Sequence, residues 1–237
     1  MDKDSKNIWY PLQLSEIYLS LQKYDEAAST YEKVIKLDPN TIEYYKNLAN
    51  IYRVEGNDDK ELEVLNRIEK RWGVSEEVSM YKYSIYKEKK DNKKAEDEIT
   101  KLQKTFPSET KYYSIIAEMA MKEKNYEKAL MNYNKVKEME PDNEYINVAL
   151  ANYYIETKND DSVYYYLQKV AAQKDLEFST KLPIIFSVYK DKVDTDTATF
   201  VKFFNILNIL SVTNENQCEV WSLLNTGYMR QGNMEKA

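Results

Sequence analysis

The phrase KVIKLDPN at residues 33–40 recurs along the chain as KLQKTFPS at 101–108 and as KVKEMEPD at 135–142. Each copy closes on a proline, and successive prolines lie two periods and then one period of 34 residues apart. Proline lacks an amide donor and clashes with the preceding helical turn, so each phrase is expected to end a helix. The chain therefore carries an internal repeat of 34 residues.

Written in rows of that length, the 237 residues divide into seven repeats, of which the sixth is irregular and the seventh is short. The repeats cover 8–41, 42–75, 76–109, 110–143, 144–177, 178–217 and 218–237. Apolar residues recur at row positions 7 and 11 and at 20, 24 and 27, which lie on one face of a helix. Small residues at positions 8 and 20 allow two helices to cross closely. We therefore predict an all-α chain of about 13 helices in one continuous array.

The turn inside each repeat is predicted at positions 15 and 16. Gly56–Asn57, Lys124–Asn125 and Gly232–Asn233 stand there, suited to ending one helix and capping the next. Repeats 2 and 3 depart from the pattern because polar or bulky residues replace apolar or small ones. These residues are Glu61, Lys82 and Tyr83.

The pattern resembles the tetratricopeptide repeat, a 34-residue helix–turn–helix unit. The best matches are LQLSEIYLSLQKYDEAASTYEKVIKLDPN (12–40), KNYEKALMNYNKVKEMEPDN (124–143) and VWSLLNTGYMRQGNMEKA (220–237). The resemblance covers 8–177 and 218–237 well and 178–217 poorly. It implies a right-handed superhelical solenoid of six to seven repeats, whose first helices line a concave groove that binds a protein or peptide.

Groove-facing positions implied by the resemblance are 2, 5, 9 and 12 of each repeat. The candidate peptide-binding residues at these positions are Lys46, Asn50, Arg53, Lys111, Glu118 and Asn152. Family members that hold a C-terminal carboxylate use two Lys, two Asn and one Arg, and this chain supplies Lys46, Asn50 and Lys111. Tyr81 and Ile115 occupy the other two places, so the bidentate Arg fork is lost. The alternative is a solvated groove.

The irregular repeat contains a stretch, residues 197–212, that is apolar nearly all round the predicted helix. This stretch is either a helix buried on two sides or an apolar contact surface for another protein. The candidate contact residues are Phe200, Phe203, Phe204 and Leu207. Pro183, inside the apolar segment 178–190, predicts a kink or a late helix start.

Composition excludes several classes of function. The chain has no His and one Cys, so a His-based catalytic triad, a His-ligated metal and an internal disulfide are ruled out. Its net charge of −6 argues against nucleic-acid binding, and it has no stretch long enough to span a bilayer. Asp191, Asp194 and Asp196 begin like a calcium loop but lack its Gly and Glu. We therefore expect no enzyme activity, no cofactor and no metal.

The sequence thus indicates a non-catalytic scaffold that binds a protein or peptide. The alternative is a sensory or regulatory module of a larger signalling or envelope protein whose effector domain lies elsewhere. The partner stays open, as does the choice between cytoplasm and periplasm for a soluble chain. The richness in Lys, Asn and Tyr fits an AT-rich bacterial genome. Because repeat 7 stops at position 20, we expect the native frame to continue beyond Ala237, or else this end to self-associate.

Overall fold

The computed structural model describes residues 7–191 and 193–232. Over these residues the chain forms thirteen helices and no strand, which confirms the all-α fold class. The helices are α1 (Trp9–Ser20), α2 (Tyr24–Leu37), α3 (Ile42–Glu55), α4 (Asp58–Trp72), α5 (Glu76–Glu88), α6 (Asn92–Thr105), α7 (Thr110–Lys122), α8 (Tyr126–Met139), α9 (Ile146–Glu156), α10 (Asp160–Ala172), α11 (Phe178–Tyr189), α12 (Thr197–Thr213) and α13 (Cys218–Arg230).

The chain divides into two compact units, Met1–Pro107 and Ser108–Ala237. The first holds α1 to α6, and its core is built mainly from α2, α3 and α4. The second holds α7 to α13 around a larger core that extends into α12 and α13. Within each unit, consecutive helices pack as pairs joined by short turns, as the repeat pattern predicts. The single array over residues 1–237 stays a prediction.

The intra-repeat turns of repeats 1 to 5 and 7 share one backbone conformation at row position 15. The residue there has a left-handed φ of 56° to 78° in six repeats, although only two of the six are glycine. These residues are Gln22, Gly56, Lys90, Lys124, Lys158 and Gly232. In four of these turns the following Asn or Asp side chain accepts a backbone N–H of the second helix. The predicted capping by Asn57 and Asn125 is confirmed, whereas Asn233 and Ala237 lie outside the described residues.

Small residues at positions 8 and 20 are buried, as close crossing of the two helices requires. The alanines at these positions are Ala27, Ala49, Ala95, Ala117, Ala129 and Ala151. Large apolar side chains at positions 24 and 27, such as Leu65 and Ile68, fill the space beside them. The apolar columns of the sequence are thus the core columns of the structure.

Two of the three departures from the pattern are compensated by ion pairs. Glu61 is buried, and the Arg53 guanidinium donates to its Oε1 at 2.6 and 2.8 Å. Burial raises the pKa of Glu61, while the hydrogen bond from Arg53 acts in the opposite direction. A charge that is buried without a partner would cost several kcal/mol, so Arg53 is what makes Glu61 tolerable.

Lys82 belongs to a closed ring of four charges that joins α4, α5 and α6. Its Nζ lies 2.7 Å from Glu69 and 2.9 Å from Glu98, and Lys101 Nζ lies 2.7 and 2.8 Å from the same two carboxylates. Burial raises the pKa of Glu69, but the hydrogen bonds from Lys101 and Lys82 lower it. The net result is a pKa below the ordinary value of a glutamate. Two lysines and two glutamates make the ring neutral, which allows it to lie in a largely buried place.

The irregular repeat is packed into the second unit. Helix α11 begins at Phe178 and continues through Pro183, so the late start, one of the two effects predicted from that proline, does not occur. The predicted contact surface on α12 is also wrong, because its four residues are between 1% and 8% exposed. Phe200, Phe203, Phe204 and Leu207 face the core that α12 shares with α10, α11 and α13. Of the two explanations for 197–212, burial on two sides is the one observed.

Candidate functional site

A groove in the first unit lies between α3 and α5; we call it the α3–α5 groove. Its volume is about 210 Å³. Its floor comes from α4 through Leu65 and Ile68 and from Ala49 of α3, and polar side chains form its sides. Those polar and aromatic residues are Lys46, Asn47, Asn50, Arg53, Glu77 and Tyr81.

Charged contacts shape the two ends of the α3–α5 groove. Lys46 Nζ lies 2.6 Å from Glu77 Oε2, and this hydrogen bond raises the pKa of Lys46. Both side chains are exposed by 40% or more, so this pair is easily opened by a ligand. Arg53, paired with Glu61, places its guanidinium carbon 3.8 Å from the centre of the Tyr81 ring. Asn50 stands between these two contacts on the exposed face of α3.

A second groove, of about 380 Å³, lies between α7 and α9 in the second unit; we call it the α7–α9 groove. Its apolar wall is formed by Ile115, Val136, Ile146 and Ala149, with Tyr145 at the rim. The polar residues around it are Thr110, Lys111, Ser114, Glu118 and Asn143, with the Tyr133 ring buried below.

The hydroxyl of Tyr133 lies in a buried place below this groove. Burial raises its pKa to about 12, and the negative charge of Glu118 adds to the shift. Tyrosine is a neutral phenol at neutral pH with or without this shift. The α7–α9 groove is less charged than the other because its lining has two charged side chains, Lys111 and Glu118, against Lys46, Arg53 and Glu77 in the α3–α5 groove.

The two grooves are built from the same positions of the repeat. Each uses positions 5, 6 and 9 of one first helix, positions 24 and 27 of the following second helix, and positions 2, 3 and 6 of the next first helix. In each case the space is bounded by the first helices of two consecutive repeats and by the second helix between them. The chemistry differs because the residues differ at the same positions.

The structure separates the predicted binding residues into three groups. Lys46, Asn50 and Arg53 line the α3–α5 groove, and Lys111 and Glu118 line the α7–α9 groove. Asn152 is exposed on α9 but does not line either groove. The positions implied by the family resemblance thus supply four of the ten residues that line the α3–α5 groove and four of the eleven that line the α7–α9 groove.

Two features of these grooves were missed in the sequence. Tyr81 and Ile115 were noted only as departures from a carboxylate-binding set, yet both are groove walls. The pairing of Arg53 with Glu61 was also missed, although the two stand eight residues apart across the turn. A polar residue at a core position next to an Arg is the signal that would have revealed it.

No group of three or more His, Cys, Asp or Glu in the described residues is placed to hold a metal ion. Asp196 instead caps α12, because its carboxylate accepts the backbone N–H groups of Ala198 and Thr199. Among the described helices, none combines the length and apolar character needed to cross a membrane.

Comparison with known proteins places the chain in a class. Structurally it is similar to a tetratricopeptide repeat protein from Parabacteroides merdae, with a TM-score of 0.51 and 14% identity over 97% of this chain and 88% of that one. It is similar to YrrB, described as a TPR protein with an unusual peptide-binding site, with a TM-score of 0.50 and 15% identity over 76% and 93%. A chain in the structure of Naa15/Naa10 bound to HypK-THB gives a TM-score of 0.67 at 14% identity, over 94% of this chain and 34% of that one. At these identities the likeness defines the fold alone, that of an α-helical repeat protein.

Family models narrow the class. A model described as TPR repeat matches residues 16–53, and one described as tetratricopeptide repeat matches residues 110–143. Residues 16–53 and 110–143 are thus similar to tetratricopeptide repeats, and together with the all-helical fold they support a helical repeat scaffold for protein interactions. No curated protein matches the sequence.

Proposed function

We propose that this chain is a scaffold that binds extended peptide segments of a partner protein in the α3–α5 and α7–α9 grooves. The observation that carries the proposal is that two grooves of different chemistry occupy the same repeat positions. Each groove would recognise a peptide segment through its side chains: the α3–α5 groove would bind polar or charged groups, and the α7–α9 groove would bind apolar groups.

The α3–α5 groove fits a side chain that can exchange partners with the exposed Lys46–Glu77 pair. An acidic group would take Lys46, and a basic group would take Glu77. In the α7–α9 groove, Tyr145 is 62% exposed and stands beside Ile146, so an aliphatic or aromatic side chain would be covered on two sides.

The test uses peptides selected from a phage-displayed random library against the 237-residue chain, with affinities then measured by calorimetry. Replacing Tyr145 by Ala should weaken the apolar-anchored peptides by at least about tenfold, as loss of an aromatic anchor does. Tyr165→Ala is the matched control, since Tyr165 is an exposed tyrosine on the second helix α10.

The α3–α5 groove is tested in the same way. Lys46→Glu should weaken peptides with an acidic anchor, whereas Lys33→Glu, on the exposed side of α2, should leave their affinity unchanged. If every selected peptide binds the groove variants and the control variants equally well, the proposal is wrong.

A further inference from the structure

The first helix of the chain exposes a face that the first helices of the later regular repeats, 2 to 5 and 7, bury. Row positions 3, 7 and 10 are occupied in α1 by Tyr10, Leu14 and Ile17, which are 60%, 41% and 54% exposed. At the same positions of repeats 2 to 5 and 7 the side chains are buried, apart from the half-buried Tyr44. These residues are Val78, Tyr112, Ile146 and Val220 at position 3, Leu48, Lys82, Ile116, Leu150 and Leu224 at position 7, and Ile51, Ile85, Met119, Tyr153 and Gly227 at position 10.

The fold itself shows what kind of element covers this face. In the later repeats the preceding second helix packs against the first helix: α2 against α3, α4 against α5, α8 against α9 and α12 against α13. Among the described residues, α1 has α2 on its other side, where Leu12, Tyr18 and Leu19 meet the core. The uncovered face of α1 is therefore built to receive a helix.

The exposed side chains form one continuous seam. Tyr10, Leu14, Ile17 and Leu21, which is 59% exposed, follow one another at spacings of four, three and four residues. This alternation is the a/d spacing with which two helices pack in a coiled coil. A seam of this kind is an interaction surface rather than a set of isolated exposed residues.

The near absence of charge on α1 indicates what kind of helix can pack on its exposed face. Between residues 8 and 22 the only charged side chain is Glu16, so α1 presents almost no charge to a partner. A helix with the same neutral, apolar seam can therefore approach it without like-charge repulsion. Residues 1–6, MDKDSK, carry four charges and one apolar residue, so their composition supplies no such seam.

We propose that this face binds a second copy of the chain, with α1 of one protomer packed on α1 of the other about a twofold axis. The pairing is isologous, since each copy contributes the same Tyr10–Leu14–Ile17–Leu21 seam. It lies at the opposite end of the chain from the self-association predicted for residues 218–237, so the two can be distinguished.

The experiment is sedimentation velocity and light scattering of the 237-residue chain over a roughly hundredfold range of concentration, because mass action shifts a dimer over such a range. We expect the mass to rise to twice that of the monomer. Leu14→Glu combined with Ile17→Glu should abolish this rise, because two charges on each copy would meet across the seam. Both side chains are partly solvated in the monomer, so the far-ultraviolet circular dichroism should be unchanged.

Two further variants keep the result decisive. Tyr10→Lys with Leu21→Lys attacks the ends of the same seam, so it gives the same readout if the central variant fails to fold. Met229→Glu alters an exposed apolar residue on α13 and should leave the dimer intact. The proposal is overturned if the wild-type chain stays monomeric at the highest concentration. It is also overturned if the dimer survives the α1 changes or dissolves in Met229→Glu.

Discussion

Single residues decide how closely two helices of this fold can approach. Gly227 lies on α13, where an added Cβ would stand 2.5 Å from Cδ2 of Phe204 on α12. The Phe204 ring cannot move aside easily, since it stacks on Phe200 and meets the edge of Tyr228. A glycine inside a helix is ordinarily unfavourable, so its presence here is explained by this close contact.

Gly227→Ala should therefore destabilise the second unit, against the usual gain in helix propensity. Overpacking of this kind costs about 1–3 kcal/mol, which exceeds the roughly 1 kcal/mol that Ala gains over Gly. Urea denaturation followed by circular dichroism measures the change. Asn225→Ala, an exposed change on the same helix, is the control and should be neutral or slightly stabilising. A Gly227→Ala protein more stable than wild type would show that the ring relaxes freely.

Among the helices, α4 to α6 are unusual because charges stand where the repeat places apolar side chains. Glu61 pairs with Arg53, and the ring of Glu69, Lys82, Glu98 and Lys101 joins three helices. Such pairs must recover the cost of removing each charge from water, so they contribute less to stability than packed apolar residues of the same size. Removing one member of a pair would leave the other charge buried without a partner, which costs more than the pair contributes.

We expect residues 58–90 to exchange their amide hydrogens faster than the other interior helices. Local opening exposes the paired charges to water, which returns the solvation that burial removed. Native-state hydrogen exchange with mass spectrometry measures this. Helix α2, in the same compact unit, serves as the internal control because its buried side chains are neutral. Slower exchange across 58–90 than across 110–140 would contradict the prediction.

For the molecule as a whole, the absence of histidine sets the pH response. No side chain of the sequence has an ordinary pKa between those of the carboxylates and that of cysteine, since the chain has no His. The paired carboxylate Glu69 has a pKa below the ordinary 4.5. The ionised Glu69 stabilises the folded protein at pH values above 4.5, its ordinary pKa in the unfolded chain. This contribution is lost as the pH falls through the lower pKa that Glu69 has in the folded protein. Glu61 acts with the opposite sign, because its pKa is raised in the fold.

The free energy of unfolding should therefore be flat between about pH 6 and 7.5 and should fall only in acid. Glu69→Gln should lower stability at neutral pH and make the acid decline shallower, because the group that protonates has been removed. Glu63→Gln, an exposed change on the same helix, should leave the pH profile unaltered. The measurement is a series of urea titrations at fixed pH. A transition near pH 6.5, or an acid decline of equal slope in Glu69→Gln, would be inconsistent with this account.

The amino-acid sequence by itself determined the repeat, the all-α class, the caps at Asn57 and Asn125 and the apolar core columns. It could do so because these depend on local spacing: a helix face recurs every three or four residues, and a cap acts within one turn. Lys46, Asn50 and Lys111 were expected to face a groove from the resemblance to the tetratricopeptide repeat, and each of them lines one of the two grooves.

Only the tertiary structure decided which exceptions are harmless and which faces are covered. In the aligned repeats, Glu61 and Lys82 are charged residues at positions that are otherwise small or apolar. Their ion-pair partners come from other helices, which the sequence pattern does not reveal. Phe200 and Leu14 look alike as apolar residues on a helix, yet the first is buried and the second is 41% exposed. The difference lies in the neighbouring helix, because burial depends on what packs against a face and not on the pattern of the face alone.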